Sequence, residues 1–241
     1  MKKTYKWGII GTGRISNLFA EALKSLDAAQ IYAVGSRSEA GSKSFASKWQ
    51  VPKIYSSYDD VYSDRDVEII YIGTPHNFHF KNVSDALNAG KHVLCEKPLT
   101  INAVQARTLV DLAREKGLFL MEAMWNRFQP WYSVVKQLMD DGSLGELNHF
   151  KADLSFQFDV GPEHRIFNPN LAGGALLDLG VYPIALASLF FGKPNEVLSV
   201  SHLHETGVDD QVSMIFKYAS GATAELGCSS RYLSKNNATL H

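Results

Sequence analysis

The chain has 241 residues, of which 45% are hydrophobic and 20% are charged, so it can bury a core and forms one large or two modest domains. Its formal net charge of −1 gives no electrostatic reason to expect nucleic acid or a membrane as a partner. Cys95 and Cys228 are the two cysteines and neither sits in a CxxC motif, which argues against a disulfide scaffold and indicates a reduced, cytoplasmic protein. The longest uncharged run, 179–192, is shorter than a membrane span of about 20 residues.

The first half of the chain alternates short runs of strand type with amphipathic runs of helix type. The pattern predicts strands at 5–10, 31–36, 67–73, 92–96 and 118–123, with helices at 14–26, 39–49, 80–90 and 101–117. Such alternation is typical of a parallel sheet covered by helices. We therefore predict an α/β domain over residues 1–123.

The pattern changes after residue 123. We predict a short helix at 131–139, a strand at 146–159, a helix at 173–192 and strands at 196–204, 210–219 and 222–230. In the run 210–219 apolar and polar residues alternate, which predicts one apolar and one mixed face of a sheet. Residues 124–241 therefore form an α+β domain with an open-faced, mainly antiparallel sheet.

A glycine-rich turn follows the first predicted strand and opens the first helix. It reads Gly11-Thr12-Gly13-Arg14-Ile15, and Ser16 follows where a dinucleotide fingerprint has its third glycine. Gly11 permits a tight turn, and Gly13 lets the backbone approach a pyrophosphate at the helix N-terminus. An ordinary strand-to-helix turn is the alternative, but the surrounding βαβ order favours a dinucleotide site.

The end of the second strand predicts which dinucleotide binds. An acidic residue there would accept from the ribose 2′-hydroxyl, but this chain has Ser36-Arg37-Ser38. A guanidinium and two hydroxyls suit a 2′-phosphate, so we predict NADP(H) as the preferred cofactor, with NAD(H) possible. A solvated arginine at a loop start is the alternative.

A charged triplet, Glu96-Lys97-Pro98, ends the predicted strand 92–96. Ligands of open α/β sheets sit at the carboxyl ends of the strands, where Lys97 would polarise a substrate oxygen or lower the pKa of a nearby phenol. Glu96 offers a compensating carboxylate. A surface lysine at a strand end is the alternative for an isolated motif.

Five segments occur in an order that resembles one family. "GIIGTGRIS", "GTPHNFH", "EKP", "MEAMWNRFQP" and "GGALLDLGVYP" together are similar to the glucose-fructose oxidoreductase, inositol dehydrogenase and MocA family. "EAMWNRF" and the tyrosine of "DLGVYP" resemble the branch of dimeric dihydrodiol dehydrogenases and NADP-linked xylose dehydrogenases. The resemblance covers almost the whole chain and implies a Rossmann domain followed by a substrate-binding and dimerisation domain.

The resemblance also implies the site residues. The catalytic pair is Lys97 with Tyr182 as the proton donor or acceptor, and Asp178, four residues earlier, either orients the site or solvates the helix start. Other residues bind the cofactor (Thr74, Pro75, His76, Asn77 and His79, with Glu96 and Lys97) or the substrate (Trp125, Arg127 and Phe128, with Arg165 a weaker candidate). Domain-interface packing is the alternative for the aromatic residues.

The implied function is hydride transfer between nicotinamide and a carbinol carbon of a sugar, polyol or cyclic diol. Alternatives are an anhydrosugar reductase, an aldose-aldose oxidoreductase or a regulator that binds NAD(P) without catalysis. The histidine pairs His76/His79 and His202/His204 lack further convincing ligands, so we expect no metal.

The last predicted strand, 222–230, has no evident partner, because the residues after it are polar and turn-like. We therefore expect a chain that lacks the strands completing its second domain, and a homodimer that packs through the apolar face of the open sheet. Cover of that face by a helix or loop of the first domain is the alternative.

Overall fold

The computed structural model describes residues 3–241. Backbone contacts divide the chain into two compact units, and the boundary along the sequence lies between Ala123 and Met124. Each unit has its own sheet and its own buried core.

The first unit is built on a six-stranded parallel sheet, so the predicted α/β class is confirmed. The spatial order is β3-β2-β1-β4-β5-β6, and Ile10, Ile70, Ile72 and Val93 are fully buried in the core. β3 and α3 are short elements that the pattern analysis did not predict. The elements are β1 (Tyr5–Ile10), α1 (Arg14–Lys24), β2 (Ala29–Gly35), α2 (Glu39–Trp49), β3 (Lys53–Tyr55), α3 (Tyr58–Ser63), β4 (Ile69–Ile72), α4 (His79–Asn88), β5 (His92–Cys95), α5 (Ala103–Glu115) and β6 (Leu120–Glu122).

The second unit holds a five-stranded mixed sheet, mostly antiparallel, in the order β11-β7-β10-β9-β8. The predicted, mainly antiparallel sheet is confirmed, and one of its pairs is parallel, that of β10 with β7. Phe150 and Leu226, on this central pair, are buried in the core of the unit. The elements are α6 (Pro130–Asp140), β7 (His149–Ser155), α7 (Val181–Phe191), β8 (Glu196–Leu203), β9 (Asp209–Lys217), β10 (Thr223–Ser229) and β11 (Ala238–Leu240).

The prediction that the last strand lacks a partner is wrong. β10 lies between β7 and β9, and the turn-like tail forms β11, which pairs with β7 at the sheet edge. The apolar face predicted on β9 is also not open, because Val212, Met214 and Phe216 are buried in the core that α7 joins. The exposed face instead carries Ser213 and Ile215 of β9, paired with Val200 and Leu198 of β8.

A wide helical turn precedes α7 and carries a predicted site residue. Leu176–Gly180 form a π-helical turn that contains Asp178, and α7 follows directly with Tyr182 and Pro183 in its first turn. Pro183 has no N–H and so lacks the hydrogen bond that other residues of this continuous helical segment donate, and helix distortions commonly accompany such a gap. Such π turns occur frequently at functional sites.

The stretch Pro169–Phe191 has a mean hydropathy of 1.7 and is long and apolar enough, by length and composition alone, to cross a membrane. In the second unit, however, Leu179 and Ala187 of this stretch are buried in the core, with Leu186 and Phe190 packed against the same cluster. Its apolar character is therefore that of a core helix.

Candidate active site

The predicted cofactor residues share one edge of the first unit. All six strands are parallel, so their carboxyl ends meet at that edge, with β1 between β2 and β4 and with β5 beyond β4. The glycine turn follows β1, Ser36–Ser38 follow β2, Thr74–Asn77 follow β4 and Glu96–Lys97 follow β5. Strands are added to one side of β1 as far as β3 and to the other side from β4 onward, and open α/β sheets bind ligands at such a topological switch point.

The glycine turn after β1 has the geometry that a dinucleotide requires. Gly11 has φ +86°, and a Cβ there would lie 2.9 Å from the Gly73 carbonyl oxygen, so only glycine fits. A Cβ at Gly13 would meet nothing within 4 Å, and Gly13 is the N-cap residue of α1, which therefore has no side chain capping its first N–H groups. The Asn17 amide donates to the Gly13 carbonyl at 3.0 Å and fixes the turn. Open space in front of uncapped N–H groups suits an anionic phosphate.

Ser16 takes the place of the third glycine without disturbing the turn. Its side chain is fully buried, and its hydroxyl has no hydrogen-bond partner among residues 3–241. A Cβ at Gly73 would lie 2.3 Å from the Ser16 Oγ. The absence of a side chain at Gly73, directly after β4, therefore leaves room for the Ser16 side chain on α1. Helix α1 can still pack closely against the sheet, because the glycine stands at position 73 after β4 instead of at position 16 on the helix.

The three residues after β2 have different environments. Ser36 is buried and its hydroxyl accepts from the Ser38 backbone N–H at 3.2 Å, while the Ser38 hydroxyl caps α2 by accepting from the Gly41 N–H at 3.3 Å. Arg37 is exposed, and its guanidinium carbon lies 5.0 Å from the centre of the Phe78 ring. Of the three, Arg37 is the residue able to offer charge to a ligand.

The loop after β4 is held by one residue that sequence reasoning assigned to the cofactor itself. Thr74 is buried and Pro75, His76 and Asn77 are half-buried, but His79 is fully buried. The His79 ring nitrogens lie 2.7 Å from the Pro98 carbonyl oxygen and 2.8 Å from the Thr74 carbonyl oxygen. Both ring nitrogens of His79 therefore face backbone carbonyls, and a contact of His79 with the cofactor stays a prediction.

The protonation of His79 is set by opposing effects. Burial, the largest effect, lowers the pKa of His79, as does the charge of Lys97, whereas the two carbonyl contacts raise it. A neutral ring donates from only one nitrogen. In either form the ring links the Thr74 loop to the segment that follows Lys97.

Lys97 lies just past β5, half-buried, and the Lys97–Pro98 peptide bond is cis. Its neighbour Glu96 accepts from the Tyr71 hydroxyl at 2.7 Å and from the Lys97 backbone N–H at 3.2 Å. Burial raises the pKa of Glu96 despite these contacts. Glu122 accepts from the Leu99 N–H at 2.8 Å and holds the chain beyond Pro98. Half-buried carboxylates thus fix the backbone on both sides of Lys97.

In the second unit, Tyr182 and Trp125 are brought together. The Trp125 indole N–H donates to the Tyr182 hydroxyl oxygen at 3.2 Å, and the two rings meet edge to face with centroids 6.5 Å apart. Because an indole N–H can only donate, the phenol oxygen accepts here and its own proton points elsewhere. Trp125 is 58% exposed and Phe128 is 67% exposed, and Arg127 between them is also exposed. This short turn presents an aromatic surface next to a phenol.

Asp178 and Arg165 form one ion pair. The two guanidinium nitrogens of Arg165 lie 3.0 Å from the two carboxylate oxygens of Asp178, which is buried while Arg165 is exposed. Asp178 lies in the first turn of its helical segment and also pairs with Arg165, so both roles considered for it stay predictions. Paired carboxylate and fork-shaped guanidinium give a charge-neutral, rigid group one turn before Tyr182.

Sequence reasoning missed Asp209. One carboxylate oxygen accepts from the Leu176 backbone N–H at 2.6 Å, and a Cβ at Gly174 would lie 2.4 Å from the other oxygen. Gly174 has φ +114°, so a glycine is needed at this close approach. Asp209 thus caps the helical segment that carries Asp178 and Tyr182, from 33 residues away.

Among residues 3–241, no group of three or more His, Cys, Asp or Glu side chains is arranged to hold a metal ion. Of the histidines considered for that role, His202 contacts Asp210 at 2.7 Å and His204 stacks on Phe167. Cys95 and Cys228 are buried free thiols, and burial raises the pKa of both, that of Cys228 to about 12. Neither thiol is activated as a nucleophile.

The fold and the glycine turn define a dinucleotide-binding protein with a second, sheet-based unit, and comparison with known sequences gives its family. The model of "Oxidoreductase family, NAD-binding Rossmann fold" matches residues 5–124, and that of "GFO/IDH/MocA C-terminal domain" matches residues 132–241. The chain belongs to the GFO/IDH/MocA oxidoreductase family, as the sequence motifs predicted.

Several curated relatives carry the same enzyme name. Trans-1,2-dihydrobenzene-1,2-diol dehydrogenase of Mus musculus is 41% identical over 228 residues, which are 93% of this chain and 68% of that protein. The enzyme of the same name from Homo sapiens is 39% identical over 239 residues, 98% of this chain and 71% of that protein. The relatives are dehydrogenases, and this chain is similar to them over almost its whole length.

Solved structures agree with the sequence relatives. KijD10, a 3-ketoreductase from Actinomadura kijaniata in complex with NADP and TDP-benzene, superposes with a TM-score of 0.92 at 31% identity, over 99% of this chain and 74% of that one. A structure described as a myo-inositol dehydrogenase from Sinorhizobium meliloti superposes with a TM-score of 0.85 at 23% identity. The match covers 98% of this chain and 75% of that one, and it shows the shared fold. The protein is an oxidoreductase of NAD(P)-dependent type.

Proposed function

We propose that this protein transfers a hydride between NADP(H) and a carbinol carbon of a sugar, a polyol or a cyclic diol. The observation that carries the proposal is the position of Lys97 at the same sheet edge as the uncapped start of α1. The dihydrodiol dehydrogenase relatives and the NADP-bound ketoreductase neighbour support a diol or sugar substrate and an NADP cofactor.

The residues of the first unit fit a dinucleotide. The free space at Gly13, in front of the first N–H groups of α1, is where the pyrophosphate would be held. Arg37 is exposed after β2, where it would pair with a 2′-phosphate, and no acidic residue occupies 36–38 to repel it. Thr74, Asn77 and Lys97 would contact the nicotinamide half.

The mechanism needs a proton carrier and a cation for the reacting oxygen. When bound, the nicotinamide supplies the hydride acceptor or donor at C4. Tyr182 takes the hydroxyl proton during oxidation or returns it during reduction, and Lys97 stabilises the negative charge that develops on the oxygen. Trp125 holds the Tyr182 oxygen from one side, which orients the phenol proton toward another acceptor.

The substrate would be recognised by the turn Trp125–Phe128, which carries two aromatic rings and Arg127. An aromatic face suits the apolar face of a sugar ring or a dihydrodiol ring, and Arg127 offers hydrogen bonds to hydroxyl groups. Arg165 contributes through Asp178, which its guanidinium holds in place, and so it shapes the helix that presents Tyr182.

The experiment is a screen of purified protein for NADP⁺ reduction with aldoses, polyols and cyclic diols, and for NADPH oxidation with keto-sugars. Tyr182→Phe should lower turnover by at least about 10²-fold and leave NADPH affinity nearly unchanged, because general acid-base catalysis contributes on that scale. Tyr5→Phe, at an exposed phenol at the start of β1, is the matched control. Equal activity of Tyr182→Phe and wild type would remove Tyr182 from this role.

The screen also separates the other candidate functions. Turnover of anhydrosugars alone, or oxidation of one aldose coupled to reduction of another without cofactor release, would assign the alternative enzyme classes. Binding of NADPH with no turnover of any sugar or diol would instead indicate a regulator that binds the cofactor without catalysis.

We further propose that the protein works in the cytoplasm, away from membranes and nucleic acids, as a homodimer that pairs through the exposed sheet face of the second unit. Val200 is 76% exposed there, beside Leu198 and Ile215, and apolar sheet faces of this kind mark interfaces. Val200→Lys should then shift the sedimentation coefficient from dimer to monomer. A wild-type monomer at micromolar concentration would contradict the homodimer.

A further inference from the structure

The Arg37 side chain, expected to select the cofactor, is supported by an aromatic ring from the loop after β4. The guanidinium carbon stands 5.0 Å from the centre of the Phe78 ring, within the range of a cation–π contact. Phe78 is half-buried at the end of the turn His76–Phe78, directly before α4. The ring therefore belongs to a fixed part of the fold, whereas Arg37 is exposed.

Tyr58 is a second aromatic residue near the end of β2. It is the first residue of α3 and is half-buried, and a Cβ at Gly35 would lie 3.4 Å from its ring. Burial raises the pKa of the Tyr58 hydroxyl, and the charge of Arg37 opposes that rise. The contact that supports the guanidinium itself is the one with the Phe78 ring.

Arg37 and Phe78 follow strands on either side of β1, the strand that leads into the glycine turn. β2 and β4 are the neighbours of β1, so Arg37 reaches from the end of β2 toward residues that follow β4. An unsupported arginine loses several rotatable bonds when it binds an anion, and support before binding removes part of that entropy cost. The support matters only to a ligand group that pairs with the guanidinium.

We propose that Phe78 determines cofactor specificity, because its ring holds the Arg37 guanidinium in place for a ribose 2′-phosphate. The proposal rests on the proposed function, since it assumes that the protein binds NADP(H) at this edge. It adds that the preference for NADP(H) over NAD(H) depends on an aromatic residue that the fingerprint at Ser36–Ser38 does not contain. Phe78 is not expected to act on the reacting carbon.

The test measures dissociation constants for NADPH and NADH by calorimetry on the full chain, without turnover. Phe78→Leu keeps apolar volume but removes the ring face, and should weaken NADPH binding about two- to five-fold while leaving NADH binding unchanged. Phe80→Leu is the matched control, because the Phe80 ring packs against the core of the first unit and not on Arg37.

An Arg37→Ala background completes the cycle. There Phe78→Leu should have no further effect on NADPH, because the group it supports is gone. Equal weakening of NADPH and NADH by Phe78→Leu, or the same NADPH loss in the Arg37→Ala background, would overturn the proposal and make Phe78 a general wall of the site. A wild type that binds neither cofactor, or binds NADH more tightly, would contradict the proposed NADP(H) function as well.

Discussion

Asp209 gives the most direct test of how the second unit presents Tyr182. Its carboxylate accepts from the Leu176 N–H at 2.6 Å at the start of the helical segment that carries Asp178 and Tyr182. Asp209→Ala removes this acceptor and leaves the first N–H groups of a half-buried helix end without one. We therefore expect the variant to be less stable and to position Tyr182 less well.

The magnitude follows from the contact that is lost. A charged acceptor on a backbone N–H contributes about 1.5–3 kcal/mol, and loss of a helix cap costs about 0.5–2 kcal/mol, so we expect a decrease of about 2 kcal/mol in the free energy of unfolding. Asp209→Asn keeps one oxygen acceptor without the charge. Because burial raises the pKa of Asp209, the charge itself is disfavoured in the fold, and the Asn variant should lose less than half as much.

The assay is urea unfolding followed by far-ultraviolet circular dichroism, with kcat and KM for the best substrate of the screen. Glu205→Ala, an exposed carboxylate in the turn before β9, is the matched control and should change neither quantity. Asp209→Ala should lower kcat more than it raises KM, because Tyr182 and not the binding surface moves. An Asn variant as unstable as the Ala variant, or an unchanged Ala variant, would refute the cap.

Three further predictions follow from the two units. Gly11→Ala, which forces a Cβ to 2.9 Å from a carbonyl oxygen at φ +86°, should cost about 1–3 kcal/mol of stability, whereas Gly13→Ala should leave thermal unfolding unchanged but weaken NADPH binding in a titration. Arg165→Ala should cost about 1–3 kcal/mol in urea unfolding because the Asp178 carboxylate stays buried without its partner, and Arg165→Ala in an Asp178→Ala background should cost much less. The raised pKa of Glu96 means that the folded state binds the proton more tightly than the unfolded state does. The free energy of unfolding of wild type should therefore increase as pH falls from that raised pKa toward the ordinary glutamate pKa. If the free energy of unfolding depended on pH in the same way in wild type and in Glu96→Gln, this prediction would be contradicted.

The first unit could be predicted from local pattern because its strands and helices alternate with short connections. The helix 39–49 was predicted to the residue, and β1 likewise, because their boundaries coincide with glycine and serine signals. β3 and α3 were missed, since three residues of Lys53–Tyr55 and six of Tyr58–Ser63 are too few to show a period.

The second unit was harder because its decisive contacts join distant parts of the chain. Pairing of β7 with β10 links residues about seventy positions apart, and no local signal distinguishes a parallel from an antiparallel partner. The same holds for the Asp209 cap and for the Arg165–Asp178 pair, which are tertiary contacts. The contacts of the His79 ring with the Pro98 and Thr74 carbonyl oxygens are likewise tertiary, so the sequence pattern did not predict them.

The central claim is that a hydride moves directly between a carbinol carbon and the nicotinamide. The measurement is mass spectrometry of the NADPH that forms from NADP⁺ and a substrate deuterated at the carbon oxidised in the screen. Direct transfer predicts one deuterium in every NADPH molecule, and Tyr182→Phe should slow its formation without changing the label. Reduced cofactor without deuterium, or no reduced cofactor with any sugar, polyol or diol, would contradict the account.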